Sequence, residues 1–206
     1  MTGEEARLFL SKFMRRPKQV GSIVPSSRVL ARRMADAIPW ESVLSIAELG
    51  SGTGAVTREI ESRVRPDARV YLFEKDNRMR SRLAAKYPNF RRAANAVNLT
   101  RILEREDTPE LDCIVSCLPF FNFPPSLREE LMTQIEKALK PGGLFVAFQY
   151  SLQMKSRVSL RFSIEKIRFV PWNLPPAFVY VCRKEEASSF ARSPRPLSLV
   201  PPSDLQ

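Results

Sequence analysis

An α/β fold, with a mostly parallel sheet, helices on both faces and an antiparallel hairpin at the C-terminal end, is predicted by three observations. Four short runs rich in Val, Ile, Leu or Phe, at 43–50, 68–76, 111–119 and 143–151, have the length and content of buried strands. Helix-patterned stretches at 55–64, 76–87 and 125–140 alternate with them, which argues for crossover units. A glycine cluster, Gly50-Ser51-Gly52-Thr53-Gly54, follows the first run, where folds of this kind bind ligands at the carboxyl ends of their strands.

In chain order, the opening stretch LFLSKFMRRPKQVGSIVPSS predicts an amphipathic helix within residues 1–18. Ala6, Phe9, Leu10, Phe13 and Met14 share one face, while Arg7, Lys12, Arg15 and Arg16 take the flanks and the opposite side. Such a helix, about 20 Å long, is too short to cross a bilayer and suits its interface; packing on the domain with a solvated basic face is the alternative. Residues 19–27 then form a link relaxed by Gly21, and Ser26 or Ser27 caps a second helix with Val29, Leu30, Ala31, Met34 and Ala37 as its apolar series.

The run 43–50 leads into the glycines and the helix 55–64, and the run 68–76 carries Glu74 at its end, with Asp76 opening the helix 76–87. FRRAANA, residues 90–96, is a third strand-like run. The helix 125–140 starts at Pro125 and Ser126 and is expected to stop at Lys140-Pro141-Gly142-Gly143. From 162 to 184 two extended stretches joined by a Pro-rich turn predict the hairpin, and 185–206, rich in Ser, Pro and Arg, predicts a disordered tail. The organisation is therefore a basic helix (1–18), one domain (19–184) and a tail (185–206), since 206 residues bury one substantial core.

The net charge of +11 favours polyanionic partners, nucleic acid or an anionic lipid surface. Charged residues break every apolar run well short of the roughly 20 needed to span a membrane, and Glu4 and Glu5 stand where a signal peptide needs cations, so an intracellular location is expected. Cys113, Cys117 and Cys182 fall in strand-like runs and are expected as buried thiols. With no histidine in the chain, metal sets of the Cys/His type and every mechanism with an imidazole base are excluded, and no metal site is expected.

The chemistry starts at AELGSGTGAV, residues 47–56. A glycine turn between strand and helix lets backbone approach a ligand and presents unpaired N–H groups to it. Gly50, Gly52 and Ala55 satisfy the dinucleotide fingerprint, but Glu48 and Gly54 extend it to E-x-G-x-G-x-G. That string resembles motif I of the class I S-adenosylmethionine methyltransferases, whose Rossmann-like sheet places the acidic residue by the amino-acid end of the cofactor. Glu74, about 20 residues on, stands where a carboxylate accepts from ribose hydroxyls. In the same pattern Asn95, with Ala96, lies beside the adenine. Ser116 to Pro124, SCLPFFNFP, occupies the place of the substrate loop, but Cys117-Leu118-Pro119-Phe120 lacks the polar residue and the Tyr of adenine-methylating enzymes. An aliphatic amine suits it better than a flat base.

KQVGSIVPSSRVLARRMA, ELGSGTGAVT, IVSCLPFFNFP, LKPGGLFVAFQYS and WNLPPAFVYVCRK together resemble, in order, the bacterial phospholipid N-methyltransferases. The resemblance implies S-adenosylmethionine as cofactor, phosphatidylethanolamine as substrate, and peripheral attachment to the cytoplasmic face of an anionic membrane. It implies cofactor contacts from Gly50, Ser51, Gly52, Gly54 and Cys117, and a loop with Gly21, Ser22 and Ser26 folded over the site. It implies a Leu118 carbonyl that accepts from the target amine, a loop fixed by Pro119, an amine oriented by Tyr150, and membrane contact through Phe9, Lys12, Phe13, Arg15 and Arg16. FQYS departs from the family's usual Tyr-Gly turn, which leaves the head group open. An RNA adenine methyltransferase fits the charge but not the loop, and a catalytically silent lipid-binding module remains a third reading.

Overall fold

The structure is a computed structural model that describes residues 27–108 and 110–186. The N-terminal amphipathic series, the loop residues Gly21, Ser22 and Ser26, and nearly all of the tail lie outside the described residues.

Seven strands form one sheet: β1 (Ser45–Leu49), β2 (Arg69–Phe73), β3 (Arg91–Ala93), β4 (Leu111–Ser116), β5 (Leu139–Gln149), β6 (Ser163–Val170) and β7 (Ala177–Arg183). Their order is β3-β2-β1-β4-β5-β7-β6. The first five pair in parallel, whereas β7 runs antiparallel to both β5 and β6. This is the predicted parallel sheet with its terminal hairpin. The order reverses between β1 and β4, the switch point at which a crevice opens beyond the strand ends.

Side chains alternate between two cores because successive strand residues face opposite sides. Ala47, Leu49, Phe145, Ala147 and Tyr180 join one core with α4 (Leu99–Arg105) and α5 (Pro125–Ala138). Ile46, Val146, Val179 and Val181 join the other with α1 (Arg28–Ala35), α2 (Ala55–Glu61) and α3 (Asn77–Lys86). Cys113 and Cys182 are fully buried free thiols, as expected. In α1 Ser27 supplies the cap, its Oγ accepting from Leu30 N at 3.1 Å. Val29, expected on the apolar face, stands exposed instead.

The main departures from the sequence reading are one boundary and one additional helix. The last long helix stops at Ala138, and Lys140-Pro141-Gly142-Gly143 belongs to β5. The reason is local pairing: Gly142 N donates to Lys184 O, Lys184 N donates to Gly143 O, and Lys140 Nζ reaches Asp112 Oδ1 at 2.7 Å. These bonds hold the segment against β4 and β7 through an irregularity in register, so residues that signal a helix stop serve here as a bulge. The second difference is α4, from the sequence LTRILER, which strand-focused reading passed over. Among the described residues no helix is long and apolar enough to cross a membrane.

Candidate active site

A cleft of about 990 Å³ opens beyond the carboxyl ends of β1, β2, β4 and β5. Glu48, the fourth residue of β1, is fully buried and lines it. Thr57, in the first turn of α2, donates from Oγ1 to Glu48 Oε2 at 2.6 Å. The other oxygen, Oε1, has no hydrogen-bond partner, and neither does the buried hydroxyl of neighbouring Ser51. Burial raises the Glu48 carboxyl to about 8, the Thr57 and Ser51 hydroxyls and the nearby Glu74 charge being smaller influences. A buried acid with a free oxygen is costly unless a ligand supplies the missing donor.

The glycine turn follows directly. Gly50, Gly52 and Gly54 all have positive φ, the region that favours glycine. Gly50 N and Ser51 N both donate to Phe73 O, which ties the turn to the end of β2. At Gly52 a Cβ would meet nothing within 4 Å, so this backbone faces open cleft. Its N–H donates to Glu74 Oε2 at 2.7 Å, while Asp76 N donates to Oε1 at 2.8 Å. Glu74 is thereby fixed at the cleft wall with a second lone pair on each oxygen for a ligand's hydroxyls. Asn95 and Ala96 border the same cleft, and Asn95 accepts from Val97 N at 3.2 Å with its side-chain oxygen. Its amide nitrogen remains available at the rim.

At the β4 and β5 ends the character changes. Cys117, Leu118, Pro119, Phe148 and Tyr150 line the cleft. Pro119, at φ −79 and ψ 73, is the centre of an inverse γ-turn in which Phe120 N donates to Leu118 O at 2.9 Å. The same oxygen accepts from Gln149 Nε2 at 3.0 Å. Both lone pairs of the Leu118 carbonyl are thus engaged, and the role assigned to it by resemblance, accepting from the target amine, requires one of these bonds to open. Pro119 restricts the backbone at the centre of this turn. Arg128 of α5 reinforces it by donating to the carbonyls of Phe120 and Phe123 at 2.9 Å each.

Tyr150 packs edge to face with Phe148 at 5.5 Å between ring centres, and burial pushes its hydroxyl up to about 12. The Cys117 thiol is pushed well above its ordinary range, first by its enclosure and then by the Glu48 and Glu74 charges. It is therefore a neutral wall and no thiolate nucleophile.

The structure thus brings together Glu48, Gly50, Ser51, Gly52, Glu74, Asn95, Ala96, Cys117, Leu118, Pro119 and Tyr150 around one cleft. Gly54 caps α2 and faces Leu83 instead, serving helix packing. Sequence reading missed Thr57 and Gln149. Gln149 sits in FQYS, noted above only as a departure, and Thr57 carried no signal beyond its place at the end of ELGSGTGAVT.

Comparison with known proteins shows a family and a fold. Residues 46–143 match the family model of a methyltransferase domain. Over 183 residues the chain is 37% identical to an ornithine lipid N-methyltransferase of Singulisphaera acidiphila, covering 85% of this chain and 94% of that protein. Among solved structures, the fold is similar to the N-methyltransferase NodS of Bradyrhizobium japonicum in complex with S-adenosyl-L-homocysteine. There the TM-score is 0.62 at 13% identity, over 88% of this chain and 99% of that one. It is also similar to TrmN of Thermus thermophilus, with a TM-score of 0.56 at 22% identity over 85% of this chain. The chain spans about half the length of that structure, 53%.

Proposed function

The chain belongs to the class I S-adenosylmethionine-dependent methyltransferases, alongside a bacterial lipid N-methyltransferase, and from that premise we propose that it methylates the amine head group of a membrane lipid. The observation that carries the reading is the asymmetry of the cleft. Its β1–β2 end leaves buried polar atoms unpaired, whereas at its β4–β5 end the Leu118 carbonyl is already bonded within the fold.

The first end fits the cofactor. Glu48 Oε1 and Ser51 would hold its amino-acid end, Glu74 its ribose hydroxyls, and Asn95 with Ala96 its adenine. When bound, S-adenosylmethionine supplies an electrophilic methyl group. The residues of the other end handle the acceptor. An amine attacks only when uncharged, and an apolar wall of Leu118, Pro119, Phe148 and Cys117 disfavours an ammonium by removing it from water. The chain has no histidine, so no imidazole takes the amine's proton. Phe148 and Tyr150 add aromatic surface to that wall, which suits a cationic, methylated amine. Positioning supplies the remainder of the rate.

Ornithine lipid is the favoured substrate, because the relative at 37% identity acts on it by name. Phosphatidylethanolamine is the second reading, supported by the family stretches quoted above. The test supplies methyl-labelled S-adenosylmethionine with vesicles of phosphatidylglycerol that contain one or the other amino lipid. Label in ornithine lipid supports the first substrate, and label in phosphatidylethanolamine alone supports the second. No lipid label, with RNA labelled instead, overturns the proposal.

A further inference from the structure

The β6–β7 turn shares an edge with the mouth of the cleft. Gln149, at the end of β5, pairs with Phe178, which pairs in turn with Phe169 near the end of β6. Residues 171–176 therefore project from the edge on which the cleft opens. This turn is apolar and stands in solvent: Trp172 is 81% exposed, Leu174 64% and Phe169 57%. Phe121 and Leu152, in the loops after β4 and β5, are exposed as well. Five of the eight large apolar side chains that stand exposed among the described residues thus gather on one edge.

Exposed cations border them. Arg28 adjoins Ser27, whose N–H is bonded to Asn173 in the turn; Lys75 lines the cleft; Lys155 follows the 152–154 turn. Asp76 and Glu130 are the exposed acids on the same cleft wall, with Glu74 half-buried and Glu48 buried behind them. Exposed apolar side chains clustered along one edge and accompanied by charge mark an interaction site. A Trp with aliphatic neighbours and flanking cations, on a chain of net charge +11, fits the boundary of an anionic bilayer.

We infer that this edge is a docking face for an anionic lipid bilayer, into whose headgroup boundary Trp172 and Leu174 insert so that the cleft mouth meets the surface. The inference rests on the lipid-amine reading, since an acceptor anchored by its acyl chains reaches the cleft only from the membrane side. It is independent of the amphipathic series at the N-terminus and assigns contact to the hairpin.

The chain has two tryptophans, so Trp40→Phe leaves Trp172 as sole reporter. Full-length Trp40→Phe is mixed with vesicles of phosphatidylcholine and phosphatidylglycerol that contain no amino lipid. The expected result is a blue shift of Trp172 emission and quenching by brominated acyl chains. In the native background, Trp172→Ala with Leu174→Ala should weaken co-sedimentation with these vesicles about ten-fold, with transfer to detergent-dispersed lipid unchanged. Binding of vesicles without any Trp172 response overturns the docking face. So does emission already blue in water and indifferent to vesicles, as when another segment of the chain covers the turn. A shift that tracks protein concentration without lipid, the mark of a second copy, also overturns it. Because the vesicles lack an acceptor, docking without lipid methylation in the transfer assay contradicts the proposed function alone, and methylation without a Trp172 response contradicts the docking face alone.

Discussion

The two ends of the cleft solve opposite problems with the same kind of material. At the β1–β2 end a fully buried carboxylic acid and a buried hydroxyl are left partly unpaired, and three glycines hold left-handed backbone. At the β4–β5 end the nearest strong acceptor, the Leu118 carbonyl, is taken by Phe120 and Gln149. The first end is unfinished without a polar ligand, whereas at the second the central carbonyl is already satisfied and the apolar side chains offer shape. The difference teaches that the cofactor is recognised by hydrogen bonds the fold leaves open. On the proposed function, exclusion of water and fit select the acceptor.

The largest effect should come from breaking the unfinished end. Gly52→Asp places a carboxylate in open cleft beside Glu74, at a φ of +52 that side chains rarely adopt. Calorimetric titration should show S-adenosylhomocysteine bound at least about 100-fold more weakly, some 2.7 kcal/mol, with the far-ultraviolet circular dichroism of the parent retained. Binding within a few-fold of the parent would dissociate the glycine turn from the cofactor.

Glu48→Gln sharpens the comparison because its two effects have opposite signs. The folded chain raises this carboxyl from 4.5 to about 8 and so holds a proton that the unfolded chain releases. Stability of the ligand-free parent is then full below about 4.5 and declines as pH rises towards 8. The variant lacks this slope, so urea midpoints at pH 5 and pH 8 should converge in it, and at pH 8 it should exceed the parent by roughly 1–4 kcal/mol. Cofactor affinity should nevertheless fall about ten-fold, through loss of one charge-assisted bond.

Gln149→Ala tests the finished end. It removes a buried donor from Leu118 O, and stability should drop by about 1–3 kcal/mol. Transfer kcat should fall while S-adenosylhomocysteine affinity stays within about two-fold. A kcat that is sustained or raised would mean that the freed carbonyl serves the amine after all. The smallest effect belongs to Asn95→Ala, which deletes one exposed turn bond and one rim contact: less than about 1 kcal/mol in stability and a few-fold in cofactor affinity.

This contrast also explains what was legible in the sequence. Glu48, the glycines and Glu74 announce themselves because their spacing along a strand, turn and strand is local, and the alternation of elements is equally local. Gln149 is 31 residues from the carbonyl it holds, a pairing created by the register of β5 beside β4. Thr57 matters only because α2 lays its first turn over the end of β1. Whether the Leu118 carbonyl is free or engaged is a property of the folded backbone and has no residue code. Lys140-Pro141-Gly142-Gly143 misleads for a related reason, since the same residue types close helices and build bulges.

The most direct test of the central claim is thin-layer analysis of lipids from cells that express the chain and are fed methyl-labelled methionine. The account predicts label in a methylated amino lipid, absent with Gly52→Asp. An unlabelled lipid extract from cells holding folded, cofactor-binding protein would contradict it.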